Sequence, residues 1–209
     1  MKLLIFGSTG GTGRELVAQA LEQGHEVTAF ARDPARLGVT HPKLTVVQGD
    51  VLDYGSVGRA VTGHDAVLSA LGTRKLGKSD VLSSGARHII QAMEEAGVRR
   101  FVCESSLGIG DSRGQMGALY TYLIIPLFLR NIYADKEVQE RLIRESSLDW
   151  VIVRPAVLTN GPCTRVYKAW VGNADIPVEG KVSRADVADF MLKQVKTDAF
   201  LRKTPGLSY

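Results

Sequence analysis

Residues 2–14, KLLIFGSTGGTGR, constrain the fold more than any other stretch of this chain. Lys2 is followed by four apolar residues without polar alternation, the pattern of a strand buried on both faces of a parallel sheet. Gly7, Gly10 and Gly13 then break the run. From Thr12 onward Leu16, Val17, Ala20 and Leu21 recur at helical spacing until Gly24 stops them. The unit is therefore strand, glycine turn and helix, in that order.

The alternation continues along the chain. Strands are expected at 25–31, 44–48, 66–70, 100–104 and 150–153, with a short seventh around 176–182. Helices are expected at 12–23, 54–61, 80–96 and 183–196. A further helical stretch has its buried side marked by Ile132, Val138, Leu142 and Ile143. Pro155 marks the end of the sixth strand, because it cannot donate to a ladder. The expected class is α/β: a doubly wound, mostly parallel Rossmann-type sheet with helices on both faces. A chain of 209 residues buries one substantial core, and no composition shift marks a linker. Residues 1–209 thus read as one domain, with 155–182 closing over one end.

The first loop has the chemistry of a diphosphate cradle. Gly7 permits the tight turn, Gly10 lets the backbone approach a phosphate, and Gly13 lets the helix pack closely on the sheet. The helix N-terminus offers unpaired N–H groups to an anion, at Gly11 and Thr12, and Ser8, Thr9 and Thr12 add hydroxyls. No Gly-Lys-Ser or Gly-Lys-Thr closes the loop, which excludes a triphosphate site. The domain therefore reads as NAD(P)-binding. Arg32 lies just past the second strand, where an acid would take ribose hydroxyls and a cation would meet a 2′-phosphate. Arg32 favours NADP(H), with NAD(H) bound more weakly; Arg36 is a second candidate, and the adjacent Asp33 pulls the other way. Asp50 and Val51 follow the third strand, where Asp50 either meets the adenine amino group or simply forms a turn. Leu71, Gly72, Thr73 and Arg74 leave the fourth strand at the edge where such folds bind ligands.

On the substrate side, Ser105 and Ser106 end the fifth strand, and a serine there can hydrogen-bond a carbonyl or a nicotinamide carboxamide. Pro155 and Val157 leave the last central strand near the expected nicotinamide. Tyr167 and Trp170 supply either a flat aromatic wall or core packing. Tyr133 and Lys136 are three residues apart, not the four of a Tyr-x-x-x-Lys pair, so Tyr133 is not assigned as an acid. The four histidines are scattered without metal-ligand spacing.

Composition removes other classes. The formal charge of +4 is spread among acids with no basic tract, which argues against nucleic acid. Two cysteines do not make a disulfide framework, and Cys103 reads as a buried free thiol; a reducing cytoplasmic setting fits. Lys2 is followed by a short run and glycines rather than a long apolar stretch, so no secretory leader or membrane span is expected. Residues 119–129, LYTYLIIPLFL, are too short to span a bilayer and read as a buried helix, a lid or a subunit contact.

The ordered motifs IFGSTGGTG, FARDPARL, VVQGDVLD, AVLSALGTR, SSGARHIIQAMEEAGVRRFV and SRADVADFML resemble the biliverdin reductase B/flavin reductase group of atypical short-chain dehydrogenases, within the NmrA-like set. The resemblance implies an NADPH reductase of flavin-like, quinone-like or linear tetrapyrrole acceptors, without a tightly held flavin. It implies that Arg32 contacts the 2′-phosphate and that Ser106 lies near the nicotinamide as the catalytic candidate. It also implies a small conjugated acceptor as partner, and a monomer or weak homodimer. Its alternative is a non-catalytic NADP(H) sensor, a role some NmrA-like proteins take. The group's pattern has a histidine after the proline of the sixth strand, where this chain has Val157.

Overall fold

The computed structural model describes residues 1–73, 76–172 and 180–209. The strands are β1 (Lys2–Phe6), β2 (Glu26–Ala31), β3 (Leu44–Gln48), β4 (Ala66–Ser69), β5 (Arg100–Glu104), β6 (Asp149–Pro155), β7 (Val157–Thr159), β8 (Lys168–Trp170), β9 (Lys181–Ser183) and β10 (Gly206–Ser208). The helices are α1 (Gly11–Glu22), α2 (Tyr54–Val61), α3 (Val81–Ala96), α4 (Arg130–Glu145) and α5 (Arg184–Lys193). The main sheet runs β3-β2-β1-β4-β5-β6-β10-β8, parallel except for the β10–β8 pair, and β7 pairs with β9 in a separate small sheet.

Both faces of the sheet are covered, which is why its central strands lack polar alternation. On one face Leu3, Ile5, Val27, Ala29, Leu68 and Val102 pack against Leu16, Val17 and Ala20 of α1 and Val187, Met191 and Leu192 of α5. On the other, Leu4, Phe6, Val67 and Phe101 meet Val57 of α2, Ile89 and Met93 of α3 and Ile143 of α4. The doubly wound architecture expected above is the one observed. Its strand order reverses at β1, so the crevice between the ends of β1 and β4 is the place such a sheet offers a ligand.

Several local expectations are corrected. β6 is longer than 150–153, starting at Asp149, but it ends at Pro155 as expected; Pro155 pairs with Leu207 there, because the missing N–H falls at the strand's last position. Residues 173–179, where part of the seventh strand was expected, lie outside the described residues; β9 covers 181–183. β7, β8 and β10 are three-residue strands, too short for periodicity to reveal. Residues 120–129 form a wide-turned π-helix with no buried residue, so the buried-helix reading fails; Leu119, Tyr122, Leu123, Leu127 and Phe128 are exposed. No helix among the described residues is long and apolar enough to cross a membrane. Helix α4 buries a polar face instead of the expected one: Asp135, Lys136, Gln139 and Glu140 are buried beside Ile143, while Ile132, Val138 and Leu142 are only half-buried.

Candidate cofactor and active site

The glycine loop sits at the switch point. Gly7 has φ +74°, and a Cβ there would lie 2.3 Å from the Ala70 carbonyl oxygen at the end of the neighbouring strand. A Cβ on Gly13 would lie 2.0 Å from the Gly7 carbonyl oxygen, so the first turn of α1 closes onto the loop only with glycine there. Gly10 precedes α1 without a side-chain cap, and the helix's first turn carries no acidic residue. Gly10 and Gly11 are exposed, so the N-terminus of α1 is reachable from solvent.

Two of the three expected hydroxyl donors are engaged elsewhere. Ser8 is buried and donates to the Phe30 carbonyl at 2.9 Å, tying the loop to β2. Thr12 donates to Glu104 Oε1 at 3.0 Å, tying the loop to β5. Thr9 is half-buried and is the remaining hydroxyl of the loop.

Past β2, Arg32 and Arg36 are exposed together with Arg14 of α1, which donates to the Arg36 carbonyl at 2.7 Å. Arg14 was not singled out in the sequence, because its position directly after Gly13 reads as an ordinary surface charge. Asp50 caps its own turn, one carboxylate oxygen accepting from Leu52 N at 3.0 Å, as the turn reading required. Val51 is buried against α3, where a Cβ on Gly85 would stand 2.8 Å from its Cγ2; Leu71 lines the same contact. Gly72 is exposed and Thr73 half-buried at the end of β4, and Arg74 lies outside the described residues.

The end of β5 holds a buried polar network. Ser105 donates to Glu140 Oε1 at 2.7 Å, and Arg154 Nε and Nη2 donate to the two Glu140 oxygens at 3.0 and 2.7 Å. Arg144 donates to Glu140 and Arg154 also pairs with Asp111. Lys136 is buried beside this group, and its ammonium is pushed below the ordinary lysine range by burial, against the pull of Glu104, Cys103 and Glu140. Burial raises the Glu104 carboxyl, against Lys136, Thr12 and Arg184. Burial also pushes the Cys103 thiol up to about 12, which leaves it unreactive.

Ser105 is thus a structural hydroxyl, whereas half-buried Ser106 makes no side-chain hydrogen bond among the described residues. Tyr133 donates to the Leu107 carbonyl at 3.1 Å, and burial pushes its phenol up to about 12. Pro155 lends its carbonyl to Leu107 N, and Val157 is half-buried in β7. Tyr167 and Trp170 both make the packing contacts of the second reading. Tyr167 donates to Asp189 at 2.6 Å and lies edge-on to Phe190. Trp170 packs on Leu107 and Ala156 over Gly206, with its indole N–H on Gln115. Sequence reasoning weighed Lys136 only as a partner for Tyr133 and missed Glu140 and Arg184; on α4, Lys136 and Glu140 left one signal. Charged residues at i and i+4 occupied a helix face that had to be covered.

The comparisons with known proteins show a dinucleotide-binding family and fold. A family model described as NAD(P)H-binding matches residues 7–198. An oxidoreductase from Lactococcus lactis superposes with a TM-score of 0.84 at 25% identity, covering 100% of this chain and 90% of that one. ChuY, an anaerobilin reductase from Escherichia coli O157:H7, superposes with a TM-score of 0.80 at 25% identity, covering 100% and 97%. By sequence, the photosystem II assembly factor Ycf39 of Synechocystis is 26% identical over 98% of this chain, which spans 61% of that protein. A chloroplastic Arabidopsis thaliana protein is 29% identical over 97% of this chain and 72% of its own length. With the glycine cradle at the sheet's switch point and a family match across most of its length, the chain belongs to the NAD(P)H-binding family of Rossmann-type proteins.

Proposed function

We propose that this protein is an NADPH-dependent reductase of a flat conjugated acceptor, flavin-like or quinone-like or a linear tetrapyrrole, of the biliverdin reductase B/flavin reductase type. The observation that carries the reading is the pairing of an uncapped glycine cradle with a corner of three exposed arginines, Arg14 on α1 and Arg32 and Arg36 past β2. Gly7 and Gly13 let the loop and the first turn of α1 close tightly, Gly10 and Gly11 are exposed where a diphosphate would meet the helix N-terminus, and Arg14, Arg32 and Arg36 suit a 2′-phosphate. When bound, the reduced nicotinamide supplies the hydride. Similarity to an anaerobilin reductase over the full chain supports a conjugated acceptor.

The chain's own part is orientation. Ser106 has a hydroxyl uncommitted to the fold, at the sheet edge, and donates to the nicotinamide carboxamide or to an acceptor carbonyl. Beneath it the Glu140–Arg154–Ser105 network holds the strand end rigid, so that the hydroxyl is aimed in advance. Val157 offers no proton. The acceptor proton therefore comes from solvent, which suits flavin or quinone better than a substrate that needs a side-chain acid. The test is steady-state NADPH oxidation with riboflavin, FMN, a quinone and a linear tetrapyrrole, repeated with NADH. Turnover with none of them removes the assignment.

The exposed apolar helix at 120–129 favours a second reading, a non-catalytic NADP(H) sensor that docks a protein partner. Equal affinity for the oxidised and reduced cofactor counts against it.

A further inference from the structure

Gly11 stands outside the three-glycine pattern, and its φ is not in the left-handed region, yet the structure has a use for its missing side chain. A Cβ at position 11 would lie 2.5 Å from Arg184 Cδ and 2.6 Å from Arg184 Nε. Arg184, the first residue of α5, therefore lays its stem and guanidinium across the N-terminus of α1. Ser183 caps α5, accepting from Asp186 N at 2.9 Å, and Gln19 of α1 donates to the Ala185 carbonyl at 2.9 Å, so the two helices are locked together where Arg184 departs. The guanidinium reaches back to the segment after β7, donating from Nη1 to Asn160 Oδ1 at 2.6 Å. Its field also reaches Glu104, the last residue of β5. Arg184 thus spans from the glycine loop to the edge where the chemistry is placed.

We propose that Arg184 is a positioning residue that grips the dinucleotide's diphosphate from the α5 side and, through Asn160, couples an occupied cofactor site to the placement of the substrate-side segment. The proposal rests on the dinucleotide reading above and adds to it a contact made from outside the glycine loop. The backbone N–H groups of α1 meet the diphosphate with partial charges only. A full positive charge held over the same turn supplies what they lack. Asn160 holds the guanidinium over the loop before the ligand arrives, which lowers the ordering cost of binding.

The test is calorimetric binding of two probes, ADP-ribose 2′-phosphate, which has the diphosphate, and adenosine 2′-monophosphate, which lacks it. Arg184→Ala is expected to weaken the first roughly 10- to 100-fold, the loss of a charge-assisted hydrogen bond, and to leave the second within about twofold. Asn160→Ala is expected to weaken the first by about two- to fivefold, with Arg184 still present but less ordered. Gly11→Ala displaces the guanidinium without removing it, so it should match Arg184→Ala, and Gly11→Ala/Arg184→Ala should be no worse than Arg184→Ala alone. The Gly11→Ala arm also serves if Arg184→Ala fails to fold. Equal weakening of both probes, or unchanged binding of both, overturns the proposal while leaving the dinucleotide reading intact. If the wild type binds neither probe, the dinucleotide reading itself falls and takes this proposal with it.

Discussion

Arg154→Met tests whether the network under Ser106 is held by charge. Arg154 is 1% exposed and Glu140 2%, and they share two hydrogen bonds at 3.0 and 2.7 Å. Removing one partner of such a pair leaves a buried charge, which costs about 3–5 kcal/mol. Glu140 keeps Ser105 at 2.7 Å and Arg144 at 2.8 Å, so the low end, about 3 kcal/mol, is expected. The Asp111 pair adds under about 1 kcal/mol, because that carboxylate is 58% exposed. Against a typical domain stability of about 5–15 kcal/mol this is a large loss. With a urea slope of about 2 kcal/mol per molar, the midpoint should fall by roughly 1.5 M. Glu140→Leu should cost as much, by stranding Arg154. The double variant Glu140→Leu/Arg154→Met removes both charges and should recover at least about 2 kcal/mol relative to the sum of the singles. Urea unfolding at neutral pH measures all four proteins. A double variant whose loss equals the sum within about 0.5 kcal/mol would refute the reasoning, since it would mean that packing, not charge pairing, holds the network.

Four further outcomes follow from the same structure. Arg32→Ala should raise KM for NADPH by roughly 10-fold or more with little change for NADH, and equal effects on both cofactors would remove Arg32 from the 2′-phosphate. Ser105→Ala should lower stability by about 1.5–3 kcal/mol, because it deprives a buried carboxylate of a donor, whereas Ser106→Ala should lower turnover without moving the melting temperature. Gly13→Ala should destabilise by at least about 2 kcal/mol and abolish cofactor binding, since its Cβ meets the Gly7 carbonyl, a backbone atom that cannot step aside; a variant that unfolds and binds like the wild type contradicts this. Burial raises the Asp186 carboxyl, but bonds from Tyr209, Arg165 N, Thr164 and Ser183 outweigh it and hold it below the ordinary value. Their stabilisation is therefore present above the unfolded-state pKa of about 3.9 and lost as pH falls through the lower folded value. Asp186→Asn should cost most at neutral pH, with the gap to wild type closing in acid; a gap independent of pH across that range would show that the carboxylate charge is not involved.

The sequence by itself determined the architecture and the strand–glycine turn–helix unit that opens it. Apolar runs without alternation require two covered sheet faces, and within the local unit β1–loop–α1 Gly7 takes a φ of +74° while a side chain at Gly13 would meet the Gly7 carbonyl. Those signals are local, so they survive in one dimension. The end proposed for the acceptor was legible only in outline. Ser105 and Ser106 were adjacent and alike in the chain; the tertiary structure separated them, because Glu140, 35 residues away, accepts from Ser105. The polar face of α4 was hidden for the same reason: an apolar template cannot show that Lys136 and Glu140 are covered when their partners come from β5 and β6. Tyr167 and Trp170 were undecided until Phe190, Asp189 and Gly206 closed around them. The use of Gly11 depended on Arg184, 173 positions on in the numbering. What only the fold decided, in each case, was which side chains are engaged by distant partners and which are left uncommitted.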